Sequence, residues 1–458
     1  MRVDTRTRLA ASLAIVHSCG CAFPQVECFM PKEVSGRPVV ITASSARFAV
    51  GAASVGNVLE WFDFAVYGFF AAVIGKNFFP TGDEATELLA AFAAFGVGFL
   101  ARPLGGIMIG RLGDVKGRRT SLLLTIFLMA TGTVIIGLTP TYATIGIAGP
   151  IIILLARLIQ GFSAGGEWGG STAFMVEWSE PGKRGFYGSL QQVGVVAGVL
   201  LGSIAGATIN TVLTPEQIAS WGWRVPFLFG GVIGPVGLYM RRSISETPAY
   251  REAEDMGADT KVHVASMGLA ARAAGVTILW TVAFYIYVNY MPTFTRAYAG
   301  LTGAQSLWSN SIGLVVLLCS IPFMGRLSDR VGRRPLLLTC CVAFIVMPYP
   351  VARLFVTAPS FAVIAAWQAA FGLVISLFSG AAPAAIAEIF PTRSRSTFMS
   401  AGYALATAIF GGFAPYIASW LIATTGNPVS WVFYVMSAAT VTGIVIFTMK
   451  ETAHEPLR

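Results

Sequence analysis

Apolar residues in this chain come in runs of about twenty separated by short polar stretches, and twelve such runs follow one another. They lie near 48–73, 86–109, 120–138, 147–175, 187–211, 224–241, 270–295, 305–325, 335–353, 359–385, 398–422 and 430–449. A helix needs about 20 mostly apolar residues to cross a hydrocarbon core of about 30 Å, so each run predicts a membrane span. Two of the polar breaks are near-copies, GRLGDVKGRRT from Gly110 to Thr120 and GRLSDRVGRRP from Gly325 to Pro335, 215 residues apart. A second pair follows spans 4 and 10: EWSEPGKR and EIFPTRSR place Glu177 before Arg184 and Glu388 before Arg395, both 211 residues apart. Two coincidences at nearly one offset indicate a duplicated unit. The pattern predicts an all-α membrane protein, twelve transmembrane helices in two pseudo-symmetric six-helix bundles. The expected division is a tail over 1–45, a first bundle over 46–242, a polar linker over 243–267, a second bundle over 268–450 and a short tail over 451–458.

Composition agrees. Apolar residues make up 55% of the chain and charged ones 12%, and the mean hydropathy is +0.70. The net charge of +9 sits unevenly. Seventeen Lys and Arg residues follow even-numbered spans, among them Arg111, Lys116, Arg326 and Arg330, while the opposite side holds Lys76, Arg224, Arg296 and Arg353. By the positive-inside rule the basic loops and both termini face the cytoplasm, and the charge reports topology rather than nucleic-acid binding. Residues 1–20 resemble a weak signal peptide, but its cleavage would start the mature chain outside, against the loop charges. The plainer account of residues 1–29 is an over-extended start with Met30 as the initiator.

The six cysteines show no zinc-type spacing, and no metal site is expected. There is no G-x-x-x-x-G-K-[ST] phosphate loop, which argues against an ATP-driven pump, and no stretch long enough for a soluble catalytic domain. The chain reads as a transporter rather than an enzyme; a non-transporting membrane receptor is the remaining alternative.

A charge at the bilayer centre costs at least about 2.5–3.5 kcal/mol on insertion scales and calls for a partner or a purpose. Span 1 carries Asn57, Glu60, Asp63 and Tyr67 at spacings of three and four, hence on one face. All three histidines, His17, His263 and His454, fall outside the spans, so proton carriage would rest on carboxylates. Glu60 and Asp63 either take the proton or fix span 1 to its neighbours. Arg102 in span 2 is the nearest counter-charge; it pairs with these acids or grips a substrate carboxylate. Arg157, Gln160, Glu167 and Ser171 share a stripe of span 4, with Glu167 about 15 Å beyond Arg157 and so too far to pair with it. Gln191 and Gln192 in span 5, and Tyr285 and Asn289 in span 7, are candidate substrate contacts, against the plainer reading of packing. Gly194, Gly198, Gly202 and Gly206 read as a close-packing stripe. In the loops, Gly110, Asp114, Arg118, Glu177, Arg184, Asp329, Arg333, Glu388 and Arg395 form either a cytoplasmic gate of ion pairs or simple loop anchors; an acid there can meet a helix N-terminus across the bundle interface.

The repeated basic turn, RLIQGFSAGG in span 4 and the paired Glu–Arg loops resemble the major facilitator superfamily. Within it, GNVLEWFDFAVYGFF (56–70), ARPLGG (101–106), QGFSAGGEWGG (160–170), GFYGS (185–189), WGWRVPF (221–227) and MKETA (449–453) resemble the metabolite:proton symporter family. The resemblance implies the major facilitator fold and proton-coupled symport by alternating access, with protons as coupling ion and no other cofactor. It gives Arg157 a part in proton coupling and makes gating the role of the loop charges. It also implies a monomer in the bilayer of the bacterial inner membrane. ATAIFGG (406–412) with Pro415 looks most like the citrate and 2-oxoglutarate members, so the expected substrate is a small organic acid, citrate or another di- or tricarboxylate. The alternative is an osmolyte such as proline or glycine betaine, or a shikimate-type solute.

Overall fold

The computed structural model describes residues 57–231 and 234 (without 59, 117, 166, 178, 180 and 181), 267–390 and 395–455. The tail over 1–45 and nearly all of the linker over 243–267 lie outside the described residues. What is described is helical. Helix α1 covers residues 57–58 and 60–69 and runs on through Ala71–Phe78; α2 is Glu84–Leu100 continued by Arg102–Lys116, and α3 is Arg118–Leu138. Helix α4 joins Ala148–Ala164 to Glu167–Glu177, α5 is Arg184–Val212, and α6 passes from a π-turn at Ile218–Gly222 into residues 224–231. In the second half, α7 runs from Met267–Phe284 through a π-turn at Tyr285–Tyr290 to Met291–Tyr298, and α8 is Gly303–Val331. Helix α9 joins Arg333–Val346 to Pro348–Thr357, and α10 is Phe361–Ile389. Helix α11 passes from Arg395–Ala406 through a π-turn at Thr407–Gly411 to Ala414–Thr425, and α12 is Trp431–Thr448.

Among the described residues seven helices are long and apolar enough to cross a membrane, eight if α9 is taken as one span bent by 42°. Pro348 lacks the N–H that would continue the ladder, which bends α9. Gly165 marks the break in α4. The basic repeats are not turns over their whole length. GRLGDVK closes α2 and GRLSDRV closes α8; in the second copy the reversal is confined to Gly332, whose φ of 100° favours glycine. Thr302 and Gln305 form a reciprocal cap at the start of α8.

Glycine lets two pairs of helices pass backbone to backbone, and the duplication shows in both. In the first half a Cβ on Gly161 would run into the Gly98 carbonyl, and one on Gly98 would come within 2.9 Å of the Arg157 carbonyl. In the second half a Cβ on Gly372 would lie 2.5 Å from the Gly313 carbonyl, and one on Gly313 would lie 2.9 Å from that of Gln368. The crossing of α2 with α4 is thus repeated by α8 with α10, at the offsets of the sequence repeats. Arg157 in the first half corresponds to neutral Gln368 in the second.

Helix α5 packs along α8 and against α10, and α2 and α4 pack against α11, so these contacts join the halves. Gly198 and Gly202 of the α5 stripe meet α1 at Val58 and Ala65, while Gly206 meets Leu307 of α8.

Candidate functional site

The α2–α4 crossing brings two buried arginines together. Arg157 is fully buried, with its guanidinium carbon 4.5–4.9 Å from the ring centres of Phe64, Tyr67 and Phe95. That of Arg102 lies 4.3 Å from Phe99, 4.9 Å from Phe64 and 5.6 Å from Trp61. Phe64 therefore borders both cations. Such contacts contribute most where water is excluded.

Each arginine serves a different acid of α1. Arg102 Nη2 stands 4.0 Å from Glu60 Oε1. Asp63 is reached from Arg157 through two neutral side chains. Arg157 Nη1 donates to Gln160 Oε1 (2.8 Å), Gln160 Nε2 donates to Thr133 Oγ1 (2.8 Å), and the Thr133 hydroxyl donates to Asp63 Oδ2. The sequence pointed to Arg102 as counter-charge to both acids; the fold divides the task between two arginines. Thr133 was missed. A lone hydroxyl in an apolar helix commonly bonds its own backbone, as Thr133 also does to Met129 (3.0 Å), so the sequence carried no stronger signal.

Of the other α1 and α5 candidates, Tyr67 donates to the Ala91 carbonyl (3.2 Å) and Asn57 Nδ2 to the Gln191 carbonyl (3.1 Å). Gln191 and Gln192 are both buried. From the second half, Tyr285 reaches the same centre: its ring lies 5.2 Å from Phe99, 6.0 Å from Phe95 and 6.2 Å from Trp61. Asn289, one turn on, sits against Gly68 of α1, where a Cβ would collide with its amide. Neither the Tyr285 hydroxyl nor Asn289 Oδ1 has a hydrogen-bond partner among the described residues. Both lie in the π-turn of α7, a local widening often found at functional sites.

Aromatic contacts close the centre on both sides. Towards the basic loops, Trp168 of α4 stacks on Tyr403 of α11 at 3.8 Å and 9°, with Trp280 of α7 6.0 Å from Trp168. Towards the opposite side Phe413 packs on Gly96, and Phe99 on Gly412. Trp168, Trp280 and Tyr403 were not singled out from sequence, because aromatic residues are common packing material in membrane helices.

At the basic end Asp329 caps α5 across the boundary between the halves, its two oxygens accepting from the N–H groups of Gly185 (2.8 Å) and Phe186 (3.0 Å). Arg333 bonds Asp329 (2.9 Å) and Glu388 (3.1 Å), and Arg184 approaches Glu388 at 3.6 Å. Glu451, from the MKETA ending, accepts from the N–H groups of Arg333 and Arg334 at 2.9 Å each. Burial alone would raise its carboxyl, but these donors and the N–H groups of Ala453 and Thr452 hold it below the usual value. The side chains of Asp114, Arg118, Glu167, Glu177 and Arg395 lie outside the described residues, as do the surroundings of Gly110.

A family model described as "Sugar (and other) transporter" matches residues 49–267, and one described as "Major Facilitator Superfamily" matches 299–458. The proline/betaine transporter of Salmonella typhimurium is 36% identical over 440 residues, covering 92% of this chain and 87% of its own. This chain is a member of the major facilitator superfamily. The citrate-proton symporter of Klebsiella pneumoniae is also 36% identical, over 428 residues, 92% of this chain and 96% of its own. Among solved structures, the xylose transporter XylE from E. coli in a partially occluded inward-open conformation superposes with a TM-score of 0.74 at 17% identity, over 91% of this chain and all of that one. These relatives are transporters, not enzymes, and this superfamily member is a multi-pass membrane transporter.

Proposed function

We propose that this transporter carries out proton-coupled symport of a small solute bearing a carboxylate. The observation that supports this is the Glu60–Arg102 pair. It sits among Trp61, Phe64, Phe99 and Tyr285 where the halves meet, and Arg102 Nε and Nη2 are buried without hydrogen-bond partners among the described residues. A planar guanidinium with unused donors suits a carboxylate, and the buried acids of α1, Asp63 and Glu60, can hold the proton that travels with the solute. Proline, betaine and citrate, the solutes in the names of the relatives, all carry that group.

The rest of the solute separates two readings. Among the described residues Glu60 and Asp63 balance Arg102 and Arg157, so the centre has no surplus positive charge to offset three carboxylates. A compact zwitterion needs none, and aromatic faces suit its ammonium group. The charge balance therefore favours an osmolyte-like zwitterion, while the motif at 406–412 favours a di- or tricarboxylate. Uptake of radiolabelled betaine, proline, citrate and 2-oxoglutarate into energised proteoliposomes tests both. We expect accumulation of at least one that a proton uncoupler abolishes. Uptake of none, or uptake indifferent to the uncoupler, would overturn the proposal.

The basic end and both termini face the cytoplasm of a bacterial inner membrane, in which the protein works as a monomer. Contacts between the halves on both sides of the site fit an occluded stage of alternating access. Asp329 and its partners are then the inner gate. Asp329→Asn weakens two charge-assisted bonds to the start of α5, so a cysteine at the basic rim should label about tenfold faster while transport slows. If labelling and transport both stay unchanged, these residues only anchor loops.

A further inference from the structure

A single hydrogen bond reaches the Asp63 carboxylate among the described residues, and it arrives at Oδ2. We propose that Thr133 and Gln160 are positioning residues for proton coupling: they hold Asp63 by Oδ2 and leave Oδ1, against Gly230, as the seat of the proton. The inference rests on Asp63 as a proton acceptor and adds which atom takes the proton and which groups sense it.

The direction of the chain follows from donor chemistry. An arginine only donates, so Gln160 presents Oε1 to Arg157 and Nε2 to Thr133. The Thr133 oxygen is thereby an acceptor on that side, and its single proton has two acceptors within reach, Asp63 Oδ2 and the Met129 carbonyl. All donors point towards an ionised Asp63. When a proton forms a bond with Oδ1, no bond in the protein breaks, the carboxylate loses its charge, and Oδ2 becomes a weaker acceptor. The Thr133 proton then turns towards Met129, and Arg157 is left without an ionised partner at the end of the chain. Thr133 and Gln160 thus report the protonation of α1 to α4.

Oδ1 is prepared for this. It is buried and has no partner among the described residues, and a Cβ on Gly230 of α6 would stand 2.5 Å from it. The groups around Asp63 are few. Helix α4 presents Arg157, and α1 itself carries Tyr67 beneath Arg157 and Glu60 paired with Arg102. Helix α3 presents Thr133 and α6 presents Gly230, neither of them charged.

The test uses the full chain in proteoliposomes, with uncoupler-sensitive uptake measured against pH. Thr133→Val removes the donor to the ionised acid, so the alkaline limb of uptake should move up by about one pH unit, a tenfold change in proton affinity. Thr133→Ser should restore the original profile, and Gln160→Leu should move it in the same direction by less. Gly230→Ala should cut uphill accumulation tenfold or more while solute exchange across the membrane continues. A Thr133→Val protein with the original pH profile, or a Thr133→Ser protein that behaves like it, would overturn the inference. Should Thr133→Val fail to reach the membrane, Thr133→Ala and Gln160→Leu give the same readout. Asp63→Asn is measured in parallel. If it still accumulates solute uphill, the assignment of Asp63 fails; if it does not, and Thr133→Val is unaltered, only the positioning role fails.

Discussion

Asp63→Asn should abolish proton-driven accumulation of solute while leaving exchange of labelled for unlabelled solute measurable. The amide keeps the shape and can still accept from Thr133, so the helices stay packed, but it cannot take a proton near neutral pH. Uphill accumulation should fall to the level of uncoupled vesicles, a loss of at least a hundredfold in the ratio of inside to outside solute. Glu60→Gln is the companion experiment. Its partner Arg102 belongs to the solute region, so this change should disturb both accumulation and apparent affinity. Normal uphill uptake at full rate in both single variants would show that neither acid carries the proton.

Arg102→Gln should raise the half-saturating concentration ten- to a hundredfold. A carboxylate held by a guanidinium loses a charge-assisted contact of about 1.5–3 kcal/mol when that group becomes neutral. Lysine should recover part of the loss, since it keeps the charge but not the planar fork. Arg157→Gln differs in kind. Arg157 is enclosed by Phe64, Tyr67 and Phe95 and ends the chain to Asp63, so its loss should damage coupling more than affinity. Thermal stability in detergent separates either effect from misfolding. Binding of betaine or proline by the purified protein, with no binding of any organic acid, would exclude the di- and tricarboxylate reading. If Arg102→Gln leaves the half-saturating concentration unchanged, Arg102 is a structural partner of Glu60 alone.

The sequence by itself determined the membrane class, the duplication and the chemical character of the centre. Those are properties of spacing: twenty apolar residues span a bilayer, and two basic motifs 215 residues apart mark a repeated unit. The stripe Asn57, Glu60, Asp63, Tyr67 was legible because helical periodicity fixes which residues share a face. The reach of Asp329 to a helix start across the interface was legible in kind, because an acid next to a glycine-rich helix end has few other uses. What periodicity cannot give is the azimuth of one helix against another. Only the tertiary structure decided that Gly98 crosses Gly161, that this crossing sets both Arg102 and Arg157 against Phe64, and that Glu60 and Asp63 answer to different arginines. It alone raised Thr133 from an ordinary helix hydroxyl to the last donor before Asp63, brought Trp168 of one half onto Tyr403 of the other, and made Glu451 the cap of α9. Each of these depends on residues far apart in the chain meeting at a few ångströms. Side-chain volume and backbone approach in three dimensions govern such meetings, and no local pattern encodes them.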